Sequence, residues 1–418
     1  MDDVIELREI GSELKAGTGD IVASSEAPLK ILMILHMPWT RELGAPRVSL
    51  EIAEELEKLG HKVDKFDIND AFPKKSAKFL DFFQMTMFPG RAAQFVRANG
   101  RNYDVIQAEQ GNLPYSKTEL GFQGVLIARS NGLAHFYEEY HEKMARKLRL
   151  RGERRGTPIG NVMRWAAKRM ENSLRNVETS FNTADAIVLI NTEEIDYVSN
   201  TLGHGTKSYL LPNGLSETRF SDFAEWHVEP AQRLKEQRIV FVGHWSERKG
   251  ADDFPTIVRL VRQRVPGSSF LFLGTGKTAE AIKSNFAETD RPSIAIIPSY
   301  ASPDLPELLS NSTIGVFPSY IEGFPFGVLE QLAAGLPTVA YDVPGPREML
   351  KHFIEPMLVK VGNTEAIADR LVKLLWASQQ QYSDLSSQAL KVADRFHWSS
   401  TARQMLMIYT DKQEKLSL

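Results

Sequence analysis

The chain has 418 residues, with 50 Lys and Arg residues against 53 Asp and Glu residues, which gives a formal net charge of −3. Its hydrophobic content of 42% is ordinary for a soluble globular protein, and its length favours two or three domains. The near-neutral charge excludes a uniformly basic nucleic-acid-binding protein. The absence of Cys excludes disulfides, thiol nucleophiles and Cys-ligated zinc.

The ends and the apolar runs of the chain predict its location. No run reaches the ~18 apolar residues that a membrane-spanning helix needs. Residues 1–28 hold seven acidic and two basic side chains, the wrong charge for a secretory signal, and we interpret them as a mobile extension. We therefore expect a cytoplasmic protein that is at most peripheral to the inner face of a membrane.

The first half of the chain alternates apolar runs of strand length with helical patterns. Its opening unit is a strand, a loop with Gly44, a helix over Val48–Leu59 and a second strand, which predicts a parallel pair with a right-handed crossover. In chain order the predicted strands are Leu29–His36, His61–Ile68, Val105–Ala108, Val125–Ala128, Ile187–Ile190 and Tyr209–Leu211.

The second half repeats this alternation after a loop-rich joint, Pro212–Gln237. Its predicted strands are Ile239–Val242, Phe270–Leu273, Ile294–Ile297, Ile314–Phe317 and Thr338–Tyr341. Helical patterns separate them, near Phe254–Arg264, Ala279–Phe286, Leu305–Leu309 and Val328–Ala334. Alternation of this kind predicts an α/β protein with two doubly wound parallel sheets, whose loops face a cleft at the carboxyl ends of the strands.

The most informative motif follows the strand Ile314–Phe317. A loop with Gly323 opens into a helix at about Phe326, and the free N–H groups at that helix start suit phosphate or sugar oxygens. Glu322 lies on the loop and Glu330 eight positions later, so both can line one side of the cleft. Either carboxylate alone would be interpreted as a solvated or capping residue.

Together these residues resemble the Glu–x7–Glu signature of the retaining glycosyltransferases of the GT-B fold, family 4, also called glycosyltransferases group 1. Other segments resemble the same family: Val240–Gly243 with Arg248–Gly250, Leu211–Gly214 with Phe220, Gly44, Gly60–His61, Pro344–Glu348 and Arg395–Trp398. The resemblance covers about residues 30–410. It implies a GT-B fold, in which two Rossmann-like doubly wound parallel-sheet domains face a central cleft. It implies an acceptor-side domain over 29–213, a nucleotide-sugar domain over 214–396, and a helix over 397–418 that returns to the first domain.

The resemblance also implies a site and a reaction, the retaining transfer of a sugar from a nucleotide sugar such as a UDP- or GDP-sugar to a glycan, lipid-linked or small-molecule acceptor. Its catalytic residues would be Glu322, which holds the donor sugar, and Lys249, which neutralises the diphosphate. Glu330 would hold the ribose, and Tyr300 either stacks on the base or belongs to the core. The full donor-binding set is Gly44, His244, Arg248, Lys249, Ser299, Tyr300, Phe324, Phe326, Gly327 and Glu330. No Asp-x-Asp pair occurs in the chain, so we expect neither a metal nor another cofactor.

Two positions depart from the family pattern. His244 stands where the family has Arg, and Asn131 precedes Gly132 where the family often has His. On the acceptor or sugar side, Asn131 can hydrogen-bond a hydroxyl but cannot carry a proton, and His135 either replaces it or is structural. These departures leave open a second hypothesis, a degenerate GT-B protein that binds a nucleotide sugar or glycan without transferring it. A third hypothesis is a nucleotide-sugar epimerase. An insertion on the acceptor side argues against it, because an epimerase has no acceptor.

That insertion is the basic segment Lys143–Arg169, which carries ten basic side chains and one acidic side chain, Glu153. One interpretation is a solvated helix pair that packs by its apolar residues. The other is a surface for anionic lipid headgroups or an anionic acceptor. The predicted partners are therefore a nucleotide sugar, a glycan or lipid-linked acceptor and an anionic membrane surface, with no nucleic acid.

Overall fold

The computed structural model of the chain describes residues 27–42, 44–73, 81–150 and 172–417. Residues 1–26 of the predicted extension, and residues 151–169 of the basic segment, lie outside this range. Within the described residues no helix has the length and apolar character needed to cross a membrane. The strands of this described part form two separate six-stranded sheets in which every pairing is parallel, the arrangement predicted from the alternating pattern.

The first sheet has the order β2-β1-β3-β4-β5-β6. Its strands are β1 Lys30–Ile34, β2 Lys62–Phe66, β3 Val105–Glu109, β4 Val125–Arg129, β5 Ala186–Leu189 and β6 Ser208–Leu210. Its helices are Gly44–Lys58, Ile68–Ala71, Asp81–Asn99, Lys117–Leu120, Ala134–Leu150, 172–183 and Thr192–Asn200. Strands β4 and β5 are buried along their whole length, because helices cover both faces of a doubly wound sheet.

The second sheet has the order β12-β11-β10-β7-β8-β9. Its strands are β7 Arg238–Val242, β8 Ser269–Leu273, β9 Ile294–Ile297, β10 Ile314–Phe317, β11 Thr338–Tyr341 and β12 Leu358–Val359. The helices that cover it are Phe254–Arg264, Ala279–Lys283, Leu305–Ser310, Phe326–Ala333, Pro344–Leu350, Thr364–Leu375 and Gln379–Ala393. Sequence analysis missed β12, since a two-residue edge strand carries no periodic pattern.

The joint between the sheets is not the loop that we predicted. It contains two helices, Glu217–Glu225 and Pro230–Glu236. Ser216 caps the first helix by accepting a hydrogen bond from the Arg219 N–H, and Pro230 opens the second. A capping Ser and a Pro at the first position are helix-start signals, but both helices are too short to show an apolar period.

The C-terminal helix, Trp398–Ser417, packs on the first domain against the helix Gly44–Lys58. Its buried residues Trp398 and Tyr409 lie in the same apolar cluster as Ile52. The Trp398 indole donates to Glu51, and the Tyr409 hydroxyl donates to Gln107 over 2.9 Å. The end of the chain therefore ties the second domain back to the first.

Candidate active site

The loop after β10 carries the first carboxylate of the predicted signature. Glu322 is only 7% exposed. Its Oε1 atom accepts from the Ser319 hydroxyl, the Arg248 guanidinium and the Lys249 ammonium, each over 2.6 Å. Arg248 and Lys249 lie in a single turn of 3-10 helix after β7, so two neighbouring strand ends of one sheet build this cluster.

The cluster is strongly electrostatic. Burial by itself would raise the pKa of Glu322, but Lys249 and Arg248 outweigh burial, so the pKa lies below its usual value and the carboxylate is ionised. Burial lowers the pKa of Lys249, although Glu322 opposes this shift. The two cations and one anion leave an excess of one positive charge. The predicted catalytic residues Glu322 and Lys249 are thus in direct contact.

The second carboxylate, Glu330, lies inside the helix Phe326–Ala333 and is 4% exposed. Its Oε1 accepts from Arg47 of the first domain over 3.0 Å and from Arg219 of the joint over 3.4 Å. The Arg47 guanidinium also lies 4.4 Å from the centroid of the Phe326 ring and donates to Glu51. Sequence analysis missed both arginines, although Arg47 stands just after Gly44 at the start of a helix.

Predicted nucleotide-binding residues lie at the carboxyl ends of the neighbouring strands. The half-buried Tyr300 follows β9 and packs beside Gly274, and its pKa is raised by burial and then by Glu330. His244 follows β7, is exposed and lies beside Gly276. Ser299 is exposed at the same edge. The turn Gly274–Gly276 therefore borders the site next to Glu330.

The remaining donor-side residues form its apolar wall and its close backbone approaches. Phe324 and Phe326 meet edge to face with their ring centroids 6.4 Å apart, and Phe324 also packs on Phe396. Gly327 lies so close to β7 that a Cβ would stand 2.7 Å from the Val242 carbonyl oxygen. Gly44 is the first residue of the helix Gly44–Lys58, and a Cβ there would meet nothing within 4 Å among the described residues.

The loop after β4 supplies the side of the cleft that belongs to the first domain. The Asn131 amide nitrogen lies 3.5 Å from Glu109 Oε1, and its buried carbonyl oxygen has no hydrogen-bond partner in the part of the chain that the structure describes. His135 stands on the next helix, where Nε2 lies 3.4 Å from Glu178 and the ring packs on Tyr197. Burial lowers the pKa of His135. The structure therefore places Asn131 beside Glu109, whereas His135 contacts helix residues of its own domain.

The two domains meet directly beside Glu322. A Cβ on Gly323 would stand 2.6 Å from the Gly132 Cα atom, so these two glycine backbones are in contact. The Asn191 amide donates to the Gly323 carbonyl over 2.9 Å, and the Thr192 hydroxyl donates to Glu348 over 2.7 Å. The cleft is therefore closed at this point.

Comparison with known families matches residues 236–376 to the family model described as "Glycosyl transferases group 1". This segment begins just before β7 and runs through β12. It contains Glu322, Glu330, Arg248 and Lys249, that is, both predicted carboxylates and both cations of the cluster.

Curated relatives align with longer parts of the chain. The UDP-Gal:alpha-D-GlcNAc-diphosphoundecaprenol alpha-1,3-galactosyltransferase of Escherichia coli is 22% identical over 371 residues, which cover 84% of this chain and 89% of the relative. The EpsD protein of Bacillus subtilis (strain 168) is 23% identical over 235 residues, 54% of this chain. The alignment spans 60% of EpsD, and another spans only 46% of a Haemophilus influenzae glycosyltransferase.

Solved structures share the fold over nearly the whole chain. The sucrose-phosphate synthase of Thermosynechococcus elongatus superposes with a TM-score of 0.66 at 18% identity, covering 92% of this chain and 98% of that one. The Anabaena protein HepE, solved with UDP and glucose, gives a TM-score of 0.63 at 13% identity, covering 92% and 100%. The fold is GT-B, as the resemblance implied.

Proposed function

We propose that this chain, which has the GT-B fold and whose residues 236–376 match the group 1 glycosyltransferase family model, transfers a sugar from a nucleotide-sugar donor to a hydroxyl-bearing acceptor. The observation that carries the proposal is the buried contact of Glu322 with Lys249 and Arg248 at the closed point of the cleft. A carboxylate can bind sugar hydroxyls, and the excess positive charge beside it suits a diphosphate.

The chemistry of the transfer fits this arrangement. The bond between the anomeric carbon and the donor phosphate breaks, a bond to the acceptor oxygen forms, and the acceptor proton leaves with a phosphate oxygen. Negative charge develops on the leaving diphosphate, where Lys249 and Arg248 are preorganised to stabilise it. We propose that these two cations do this work without a metal, and that the transfer retains the anomeric configuration, as the family resemblance implies.

Glu330 suits the ribose of the donor. Arg47 and Arg219 occupy its Oε1 atom, and among the described residues no hydrogen bond reaches Oε2. A free carboxylate oxygen on a fixed side chain can accept from two neighbouring ribose hydroxyls. Burial and then Glu330 raise the pKa of Tyr300, which supports an aromatic ring near the proposed ribose site.

We propose a UDP-sugar as the donor and a lipid-linked diphosphate sugar as the acceptor. HepE, which shares this fold, was solved with UDP and glucose, and the name of the Escherichia coli relative states a UDP-Gal donor and a diphosphoundecaprenol acceptor. A thermal-shift screen against UDP-, GDP- and ADP-sugars tests the donor class. We expect UDP-sugars to give the largest shift, and a larger shift with either other class would contradict this choice.

Turnover of the bound donor separates a transferase from a binding protein. We expect the native chain to cleave the UDP-sugar that stabilises it and so to produce free UDP. Glu322→Gln should still bind UDP, but it should produce UDP from the UDP-sugar at least about a hundredfold more slowly. Binding without release, even with lipid-linked acceptors present, would instead support the degenerate GT-B hypothesis.

Contact with an anionic membrane through Lys143–Arg169 follows from such an acceptor. Of the basic side chains in this segment the structure describes those of Lys143 and Arg146, which are exposed and pair with Glu139 and Glu142. The proposal therefore rests on the sequence charge of the segment. Replacing Arg149, Arg151, Arg154 and Arg155 by Gln should weaken sedimentation with phosphatidylglycerol vesicles, and unchanged sedimentation would refute it.

A further inference from the structure

The peptide that follows Glu322 is held from the opposite domain. The Gly323 carbonyl accepts from the Asn191 side chain over 2.9 Å. Burial raises the pKa of the Tyr137 phenol, and the nearby Gly323 N–H acts in the opposite direction. Asn191 and Tyr137 both belong to the first domain, whereas Glu322 and Gly323 belong to the second. A hydrogen-bonded clamp therefore crosses the cleft one residue away from the proposed catalytic carboxylate.

Steric fit makes this clamp specific to a closed cleft. A Cβ on Gly323 would stand 2.6 Å from the Gly132 Cα and 3.0 Å from the Ile190 side chain, so only glycine allows the approach. Gly132 has φ +127°, and a Cβ there would stand 2.9 Å from the Tyr137 ring. Gly323 thus lacks a side chain where the first domain contacts it, and Gly132 lacks one where Tyr137 of its own domain packs.

The Asn191 side chain forms hydrogen bonds both within its own domain and to the other domain. Its Oδ1 caps the helix Thr192–Asn200 by accepting from the Glu194 N–H over 2.9 Å, which leaves Nδ2 for Gly323. The fully buried Glu194 carboxylate accepts from Asn191 Nδ2 over 3.3 Å and from the Leu133 N–H over 2.9 Å. One carboxylate therefore fixes Asn191 relative to the loop that carries Gly132.

We propose that Asn191 is a positioning residue for Glu322, which makes the orientation of that carboxylate depend on domain closure. The inference rests on the proposed function, since it assigns Glu322 a role in transfer. Without donor, Glu322 is held by Arg248 and Lys249. A donor diphosphate draws both cations toward its phosphates, so the Ser319 hydroxyl and the backbone clamp become the main restraints on Glu322 during the reaction.

Asn191→Ser tests this role, because Ser is an equally good N-cap but has no N–H2 group to donate to Gly323. Asn363→Ser is the matched control. Asn363 caps the helix Thr364–Leu375 by accepting from the Ala366 N–H over 3.0 Å, and it is exposed. Both variants therefore keep a helix cap, and only Asn191→Ser loses a contact between the domains.

Asn191→Ser loses the hydrogen bond to Gly323 and a longer one to Glu194 within the first domain. Loss of the buried hydrogen bond between the domains corresponds to roughly a threefold to tenfold effect. We expect Asn191→Ser to lower kcat for UDP release by about that factor, while its Kd for UDP stays within about twofold of the native value. Asn363→Ser should leave both quantities unchanged. An unchanged kcat in Asn191→Ser, or a Kd that rises in parallel with the fall in kcat, would overturn the proposal.

Hydrogen–deuterium exchange with UDP bound gives a readout that does not require turnover. Exchange of residues 318–325 should be faster in Asn191→Ser than in the native chain, and unchanged in Asn363→Ser. Equal exchange of residues 318–325 in the two variants would contradict the proposed clamp. If the native chain binds UDP but never produces UDP from a UDP-sugar, the proposed function is contradicted. The exchange result does not depend on that outcome.

Discussion

The two carboxylates of the Glu–x7–Glu pair lie in opposite kinds of environment. Glu322 is neutralised from within its own domain by Arg248 and Lys249, which follow the adjacent strand β7. Glu330 is neutralised from outside its domain, by Arg47 of the first domain and Arg219 of the joint. Both are nearly buried, so each needs such a partner, because an unpaired buried charge is costly.

The difference separates local assembly from domain closure. The second domain can form the cluster of Glu322, Arg248 and Lys249 by itself, which places both cations for the diphosphate of a donor. The cluster around Glu330 is complete only when the domains meet, since Arg47 must reach across the cleft. The proposed ribose site around Glu330 therefore depends on domain closure, whereas the proposed diphosphate site at Arg248 and Lys249 does not.

The largest effect is expected where the local cluster is broken. Lys249→Ala removes a buried cation from the proposed diphosphate site but leaves Arg248 on Glu322, so we expect UDP release to slow by roughly a hundredfold to a thousandfold while the chain stays folded. Steady-state assays with a UDP-sugar measure this. Lys391→Ala, at an exposed position of the same domain, is the control. Native rates in Lys249→Ala would remove this residue from the mechanism.

A smaller effect is expected where the cluster between the domains is broken. Arg47→Ala leaves Glu330 with Arg219, so we expect about a tenfold weaker affinity for UDP and a loss of ~1–3 kcal/mol in the free energy of unfolding. Calorimetric titration measures the affinity for UDP, and urea unfolding measures the free energy of unfolding. Arg41→Ala is the control, because the half-exposed Arg41 also pairs with Glu51, over 3.6 Å, and with Glu54, while no ion pair joins it to Glu330 among the described residues. Equal affinities of the two variants for UDP would contradict the inference that the site around Glu330 depends on domain closure.

The pH dependence of stability tests the packing behind the clamp. Burial raises the pKa of Glu194 to about 7, against hydrogen bonds from Ser130, Leu133, Ile190 and Asn191. A raised carboxyl pKa stabilises the folded chain fully below the unfolded pKa, about 4.5, and this contribution is lost as pH rises through about 7. Between pH 5 and pH 8 the native chain should lose roughly 2 kcal/mol more than Glu194→Gln, by urea unfolding at each pH. Parallel pH profiles would show that Glu194 is ionised throughout.

The smallest effect is expected at the rim of the contact between the domains. Arg347 pairs with Glu193 across the cleft and with Asp342 in its own domain, but its side chain is 35% exposed. Solvent weakens such pairs, so Arg347→Ala should cost at most ~1 kcal/mol and change UDP release by less than about twofold. A larger loss of activity would mean that closure is governed at the rim rather than at Glu330 and Gly323.

The strands and the two carboxylates could be predicted because their signals are local. Apolar runs such as Val105–Ala108 and Ile314–Phe317 match the observed strands within one residue, since strands buried on both faces need uninterrupted apolar residues. The placement of Glu322 on a loop and of Glu330 in the following helix also follows from local sequence. The edge strand β12 and the two joint helices were missed, because elements this short show no period.

The sequence by itself determined two doubly wound parallel sheets, the Glu–x7–Glu spacing and the neighbouring cations Arg248 and Lys249, all within segments of continuous chain. The GT-B architecture was implied by the family resemblance. Only the tertiary structure decided what each carboxylate touches. Arg47 and Glu330 are 283 positions apart, and Asn191 and Gly323 are 132 apart. Contacts over such separations depend on how the two sheets face each other, and no local period or spacing encodes that geometry.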